Sequence, residues 1–145
     1  MSAGAIRVAT TPAEVARCYA VMRELRPHLS AEEFERRVAL QSERAGYALA
    51  YVEDDGRVVA VAGFRFADAL AWGHYLYVDD LVTAEVVRSR GHGGMLLDWL
   101  VALARERDCD ELHLDSGVQR FAAHRFYLTK RMNITSHHFA LRLRG

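Results

Sequence analysis

The sequence predicts an α/β fold of the mixed (α+β) type, in which one mainly antiparallel sheet is flanked by helices on both faces. Three observations support this prediction. Apolar runs with β character follow one another in the middle of the chain, and a hairpin signal separates the first two. Apolar residues at helical spacing precede and follow these runs. A glycine-rich turn joins the last of them to a helix-like run. The predicted order is βααβββαβαβ(β), in a single domain of residues 1–145.

The composition excludes several classes of function. The 19 Lys and Arg residues balance 19 Asp and Glu residues, and this zero formal net charge disfavours nucleic acid or an anionic membrane as a partner. The apolar runs are shorter than the roughly 20 residues that span a bilayer, and the N-terminus lacks the layout of a signal peptide. We therefore expect no membrane partner and a cytoplasmic location. Cys18 and Cys109 are lone cysteines, which suit a reducing compartment and predict no metal site.

The N-terminal part predicts a short strand and two helices. Ile6–Ala9 has the character of a strand. Thr11-Pro12-Ala13-Glu14 combines a capping residue, a proline at the first helical position and a glutamate that can reach back, so a helix is predicted from here to about Arg26. Ser30-x-x-Glu33 repeats the capping pattern and predicts a second helix, which ends at Gly46.

Three β-rich runs then predict an antiparallel meander. They are Tyr47–Glu53, Arg57–Phe66 and Trp72–Thr83. Asp54-Asp55-Gly56 between the first two is a hairpin signal. Gly63 inside the second run indicates a bulge or a close approach of another group to the backbone.

The last third of the chain predicts two further helices and the closing strands. The run Met95–Ala104 has an apolar face at helical spacing. Glu111–Ser116 predicts a short strand, Gln119–Lys130 a helix, and Asn133–Leu143 one or two closing strands.

The turn before the Met95–Ala104 helix is the strongest candidate for a binding site. The first N–H groups of a helix have no intrahelical acceptor and carry the positive end of the helix dipole. Glycines at 91, 93 and 94 let an anion approach the backbone, and Arg88 and Arg90 add positive charge. The turn fits neither a P-loop nor the dinucleotide fingerprint. It predicts a phosphate-bearing ligand, with a plain helix-capping turn as the alternative.

The pattern Arg88-x-x-Gly91-x-Gly93 resembles the coenzyme A pyrophosphate loop, Q/R-x-x-G-x-G/A, of the GNAT N-acetyltransferase superfamily. Two other stretches are similar to motifs of that family. Tyr77–Thr83 resembles its fourth strand, and Ala123-His124-Arg125-Phe126-Tyr127 resembles A-x-x-F-Y on the helix after the fifth strand. The sequence departs from the family at Arg120, where Asn is frequent, and at Ser89, where the common loop has glycine.

The resemblance implies acetyl-CoA as co-substrate, held by three parts of the chain. The backbone of the fourth strand would bind the pantetheine arm and the thioester carbonyl through Leu81, Val82 and Thr83, with the Val82 N–H as the preferred group to polarise the carbonyl. The pyrophosphate would be bound by the loop residues Arg88, Ser89, Arg90, Gly91, His92, Gly93 and Gly94. The following helix would add Arg120, Ala123 and Phe126.

Two catalytic side chains are implied as well. Tyr127 would act as the acid, because a phenol with a pKa near 10 is protonated at neutral pH and can give its proton to a leaving thiolate. A tyrosine that only packs against the core is the alternative. Asp79 would act as the base that removes the amine proton, and a carboxylate paired with a nearby arginine is the alternative. Strand alternation sends Asp79 and Asp80 to opposite faces, so only one is expected to face the cleft. Arg26 and His28 lie where the family's acceptor cleft is usually bordered, with a solvated loop as the alternative.

The resemblance thus implies an acetyl-CoA-dependent N-acetyltransferase that transfers the acetyl group directly to a primary amine in a ternary complex. No cysteine lies in the three motifs to act as a covalent nucleophile. A non-catalytic acyl-CoA-binding regulatory module is the alternative, and a non-enzymatic interaction domain is the second one. The sequence does not identify the acceptor amine, and no metal is implied. Because dimerisation through the closing strands is common in the family, a homodimer is a further expectation.

Overall fold

A computed structural model describes residues 4–145 of the chain. Its helices and strands are, in order, β1 Ala5–Val8, α1 Pro12–Arg17, α2 Tyr19–Leu25, α3 Ala31–Ala45, β2 Ala48–Asp54, β3 Arg57–Ala69, β4 Gly73–Thr83, α4 His92–Glu106, β5 Glu111–Leu114 and α5 Phe121–Thr129, with a short 3₁₀ turn at Glu85–Val87 before α4. The chain divides into two compact units, Met1–His113 and Leu114–Gly145.

The strands form one five-stranded sheet in the order β1-β2-β3-β4-β5. The pairs β1–β2, β2–β3 and β3–β4 are antiparallel, with Ile6 opposite Val52 and Ala50 opposite Ala62. The β2–β3 hairpin turns at Asp55 and Gly56, both with positive φ, as a tight two-residue hairpin requires. The predicted meander and its hairpin are confirmed.

Helices cover both faces of this sheet. The Phe64 ring of β3 packs edge-on against Trp99 of α4, with ring centroids 6.0 Å apart. The neighbouring residue, Gly63, faces the other way, toward the Tyr47 hydroxyl and the side on which α2 packs. The core between these layers is apolar, and its most deeply buried large side chains include Leu49, Tyr51, Leu76, Leu96 and Leu100. The predicted fold class is confirmed.

The predicted capping residues start the first helices. The Glu14 N–H donates to Thr11 Oγ1 at 3.2 Å, and the Glu33 N–H donates to Ser30 Oγ at 3.1 Å. The first predicted helix is divided into α1 and α2 at Cys18, whose N–H bonds the Val15 carbonyl three residues back instead of four. Three helical segments therefore precede β2, where the sequence predicted two.

The prediction of one or two closing strands at 133–143 is wrong. Within the described chain, the residues after α5 adopt no regular strand or helix beyond a turn at Lys130 and Arg131. Phe139, Leu141 and Leu143 alternate as in a strand but are 84–91% exposed. An alternating pattern makes a strand only where a neighbouring strand pairs with its backbone groups. The predicted β5 is also shorter than expected, because it ends at Leu114 and not at Ser116.

Candidate active site

A β-bulge in β4 brings two adjacent carboxylates to the same face of the sheet. Gly63 pairs with Asp80, but the next residue, Phe64, pairs with Val78, so Asp79 is the extra residue. A bulge interrupts the alternation of side chains along a strand. The prediction that Asp79 and Asp80 face opposite sides is therefore wrong: both border one cavity on the side of α2 and α3.

Asp79 is held by an arginine from β3. Arg65 Nε donates to both carboxylate oxygens of Asp79, at 3.0 and 3.3 Å. The Arg65 guanidinium also lies over the Tyr77 ring, 4.8 Å from its centroid. Burial raises the pKa of Asp79 above its ordinary value, and Arg65 opposes this shift. The carboxylate is thus a stronger base than an exposed aspartate, and it borders a cavity.

Asp80 is bound at both of its oxygens. Arg26, which follows α2, donates from Nε to Asp80 Oδ1 at 2.9 Å, and the Tyr47 hydroxyl donates to Oδ2 at 2.7 Å. Arg26 also donates to the Asp79 carbonyl at 3.1 Å. Burial, reinforced by the charge of Asp80, raises the pKa of Tyr47 well above its ordinary value. The Tyr47 hydroxyl therefore keeps its proton and donates it to the hydrogen bond with Asp80. Arg26 is therefore bound to the residues of the bulge through both its ion pair and its bond to the backbone, while its side chain stays 41% exposed.

Gly63 makes room for this arrangement. A Cβ at position 63 would lie only 1.8 Å from the Tyr47 hydroxyl oxygen. The sequence predicted a bulge or a close approach at Gly63, and both are confirmed. The register shifts between Gly63 and Phe64, opposite the extra residue of β4, and the Tyr47 side chain approaches the Gly63 backbone closely.

A cavity of about 280 Å³ opens beside the bulge, and all its lining residues belong to the unit Met1–His113. Helices α2 and α3 supply an apolar wall of Met22, Phe34 and Val38. Polar groups border the rest: Arg26 and His28 after α2, Arg37 and Gln41 on α3, Tyr47 just before β2, and Asp79 and Asp80 on β4. The cavity can hold a small polar molecule against the two carboxylates.

The end of β4 presents backbone groups on the side away from β3. The Ala84 N–H donates to the Val59 carbonyl at 2.8 Å, and the register pairs Val82 with Val61. In an antiparallel pair, residues alternate between bonding the neighbour and facing away from it. The Val82 N–H consequently faces β3, so this register favours Leu81 and Thr83 over Val82 as the groups that would polarise a thioester carbonyl. The N–H groups of Leu81 and Thr83 point to the other side.

The strand β5 does not reach these groups. Asp110, just before β5, donates its N–H to the His74 carbonyl near the start of β4. The four residues of β5 extend about 13 Å, whereas Leu81 lies seven residues beyond His74, or about 23 Å along the strand. Strand β5 therefore ends before it reaches the N–H groups of Leu81 and Thr83.

The glycine-rich turn has the backbone expected of an anion site. Gly91 is the N-cap of α4 and has φ +86°, a left-handed conformation that favours glycine. The N–H groups of His92, Gly93 and Gly94 in the first turn lack intrahelical acceptors. Ser89 also has a positive φ, +78°, at the position where the sequence departs from the common loop. Arg88 and Arg90 beside the turn are exposed, so their charges can meet a phosphate.

Two contacts fix the turn to the sheet. A Cβ on Gly93 would lie 2.8 Å from Thr83 Oγ1, so the first turn of α4 packs directly on the end of β4. The His92 side chain is buried, and its Nε2 lies 3.2 Å from Asp54 Oδ2 of the β2–β3 hairpin. The side chain of His92 is therefore an anchor, and only its backbone is available to a ligand.

The second unit carries the predicted tyrosine on α5. Arg120 is the exposed N-cap of this helix, while Ala123 and Phe126 are half-buried. Burial raises the pKa of Tyr127, and the nearby charge of Arg120 opposes the shift. Tyr127 is therefore protonated at neutral pH. The Phe126 and Tyr127 rings pack with centroids 5.3 Å apart.

Comparison with known proteins identifies the family of the chain. Residues 14–133 match the model of the acetyltransferase (GNAT) family. The chain belongs to this family. It is 34% identical over 133 residues to the uncharacterized N-acetyltransferase YhdJ of Bacillus subtilis (strain 168), covering 92% of this chain and 93% of that protein. The resemblance predicted from the sequence motifs is confirmed.

Solved structures share the fold. A transcriptional regulator from Bacillus halodurans C-125 superimposes with a TM-score of 0.82 at 19% identity, over 97% of this chain and 99% of that one. The aminoglycoside N-acetyltransferase AAC(6')-Iy, solved in complex with CoA, superimposes with a TM-score of 0.80 at 12% identity, over 99% and 98% of the two chains. Among residues 4–145 no helix is long and apolar enough to cross a membrane, and no group of three or more His, Cys, Asp or Glu side chains could hold a metal ion.

Sequence reasoning missed the side chains that hold the carboxylates. No sequence pattern indicates Arg65 or Tyr47, and strand alternation presents Asp80 only as the alternative to Asp79. Their partners lie 14 to 54 residues apart in the chain, so no local motif joins them. Gly63 was the one available signal, because a glycine inside a buried strand indicates that something occupies the place of its side chain.

Proposed function

We propose that this chain transfers the acetyl group of acetyl-CoA directly to a primary amine bound in the cavity beside the β4 bulge. The observation that carries the proposal is the arrangement at the end of β4. There, an edge of β4 that β5 does not reach lies against the first turn of a helix whose N–H groups are flanked by arginines, and two carboxylates stand at the bulge on the same strand. Membership of an acetyltransferase family supports the same reaction.

The residues at the turn fit the coenzyme. The first-turn N–H groups of α4, with Arg88 and Arg90, would bind the pyrophosphate through the helix dipole and charge. The N–H groups of Leu81 and Thr83 would bind the pantetheine arm and the thioester carbonyl. Arg120, Ala123 and Phe126 of α5 would complete the coenzyme contacts. Acetyl-CoA supplies an acetyl group already activated as a thioester.

Asp79 is the proposed base. Its two oxygens share a single donor, Arg65 Nε, whereas each oxygen of Asp80 has a donor of its own, Arg26 or Tyr47. Its raised pKa favours taking a proton from the attacking amine. Asp80, with Arg26 and Tyr47, holds the bulge in place. Fixed backbone dipoles at Leu81 and Thr83 would stabilise the charge that develops on the carbonyl oxygen.

Tyr127 is the proposed acid, which gives its proton to the leaving thiolate. Its raised pKa keeps the hydroxyl protonated at neutral pH, so the proton is available at every turnover. We also propose that residues 1–145 act as one acetyltransferase domain, since the family match at 14–133 spans both compact units.

Thiol release from acetyl-CoA in the presence of a panel of primary amines tests the proposal. Wild type should release CoA with at least one amine, and Asp79→Asn and Tyr127→Phe should each lower kcat by about 10²–10⁴-fold. Both variants should retain acetyl-CoA affinity. Binding of acetyl-CoA without turnover of any amine would instead support a regulatory acyl-CoA-binding module.

A further inference from the structure

We propose that the acceptor is a compact amine that also carries a carboxylate, such as an amino acid with an apolar side chain, and that Arg37 binds this carboxylate. The inference rests on the proposed function, because it assigns the acceptor class of the same cavity. It comes from the charges and the size of that cavity.

The carboxylates of the cavity are already neutralised by the protein. Arg26 pairs with Asp80 at 2.9 Å, and Arg65 pairs with Asp79 at 3.0 Å. A site that attracts a polycation needs uncompensated negative charge, and these two ion pairs remove it. The part of the cavity beside Asp79 and Asp80 therefore suits a ligand with a single amino group. This group must be neutral to attack a thioester.

Helix α3 brings to the cavity a cation that has only a weak partner within the protein. Arg37 on α3 borders the cavity, and its guanidinium lies 3.6 Å from Glu33 Oε2, beyond hydrogen-bond distance. Both side chains of this pair are nearly half exposed, so the interaction is screened by water. The planar guanidinium retains donors that match a carboxylate in bidentate geometry. Gln41, one turn further along α3, adds an amide to the same wall.

The remaining surface limits the size and polarity of the acceptor. Met22, Phe34 and Val38 give the cavity a buried apolar surface. The volume of 280 Å³ lies just below the roughly 300–1,000 Å³ of sites for drug-sized ligands. An amine, a carboxylate and an apolar body of amino-acid size satisfy all three surfaces together.

Matched acceptors test the acceptor class. With wild-type protein and saturating acetyl-CoA, kcat/KM is measured for phenylalanine, phenylalaninamide and 2-phenylethylamine, for methionine and its amide, and for spermidine as a polycation. The amino acids should exceed their carboxylate-free analogues by roughly 10- to 150-fold, the range of charge-assisted hydrogen bonds. The amides have the less basic amines, so a preference for the acids cannot arise from amine protonation.

Matched variants test the role of Arg37. Arg37→Gln should raise KM for the amino acids by a similar factor and leave their kcat and the affinity for acetyl-CoA unchanged, whereas Arg37→Lys should restore part of the loss. Arg36→Gln is the control, because it removes the same charge from the same helix. Arg36 is exposed and does not border the cavity.

The outcomes separate this inference from the proposed function. Faster turnover of the amides, 2-phenylethylamine or spermidine overturns the proposed acceptor class but supports the proposed acetyl transfer. If no amine is acetylated, calorimetric titration of the CoA-loaded protein with phenylalanine decides: binding that Arg37→Gln weakens supports the carboxylate site and rejects catalysis. The absence of both turnover and binding overturns both proposals.

Discussion

Replacement of Gly63 by alanine should disturb the face of the sheet that carries Asp79 and Asp80 without changing either proposed catalytic side chain. The new Cβ would lie 1.8 Å from the Tyr47 hydroxyl oxygen and 2.4 Å from Cζ, far inside van der Waals contact. Tyr47 is only 5% exposed, so its ring cannot move aside freely. Any displacement also lengthens the 2.7 Å hydrogen bond from Tyr47 to Asp80.

The expected loss of stability follows from these two effects. Overpacking a buried site costs about 1–3 kcal/mol, and loss of a hydrogen bond to a charged group costs about 1.5–3 kcal/mol. Alanine recovers about 0.5–1 kcal/mol relative to glycine inside a strand. We expect the free energy of unfolding to fall by about 3 kcal/mol, and Tm by roughly 6–12 °C for a chain of this size.

Urea denaturation of a double-mutant cycle measures the effect. In a Tyr47→Leu background the clashing ring atoms are absent, so Gly63→Ala should cost less than about 0.5 kcal/mol there. In the wild-type background the same substitution should also lower kcat/KM for the amine, while the Kd for acetyl-CoA stays unchanged. An equal cost of Gly63→Ala in both backgrounds would refute the contact on which this reasoning depends.

Three further substitutions probe the coenzyme turn and the base. Ser89→Gly should raise the free energy of unfolding by about 0.5–1 kcal/mol, because relief of the left-handed φ of +78° outweighs the greater chain entropy of glycine. A loss of stability measured by urea denaturation would contradict this. Asp54→Ala should raise the Kd for acetyl-CoA severalfold without changing the KM for the acceptor, because it removes the partner of the His92 side chain. An unchanged Kd in calorimetric titration would show that the contact between His92 and Asp54 does not position the turn. Arg65→Gln should move the acid limb of the pH–rate profile to higher pH. Arg65 lowers the pKa of Asp79, so its removal raises that pKa, and the base is protonated earlier as pH falls; an unmoved limb would reject Asp79 as the base.

The features that the sequence predicted correctly are encoded by local patterns. Thr11 and Ser30 cap their helices through residues three positions ahead, and Asp55-Gly56 adopts the hairpin turn. The glycine-rich turn was likewise located from contiguous residues, and Gly91 has the positive φ that its position required. Such features depend on the conformations of a few neighbouring residues, which amino-acid type alone restricts.

The features that were missed or wrong depend on distant parts of the chain. The bulge at Asp79 is set by pairing between β3 and β4, and it reverses the expected facing of Asp79 and Asp80. Whether Val82 or Thr83 offers its N–H to a ligand depends on the same register, which composition does not fix. The alternating residues around Phe139 predicted strands, but alternation does not specify a pairing partner.

Calorimetric titration with acetyl-CoA tests the central claim, that the turn between β4 and α4 binds the coenzyme. Wild type should bind in the micromolar range, and Gly91→Glu should abolish binding, because it adds bulk and negative charge where the pyrophosphate would lie and strains a residue at φ +86°. Arg90→Gln, which leaves the backbone of the turn intact, should weaken binding and reduce its dependence on salt. Absence of binding by wild type, or undiminished binding by Gly91→Glu, would contradict the assignment of this site.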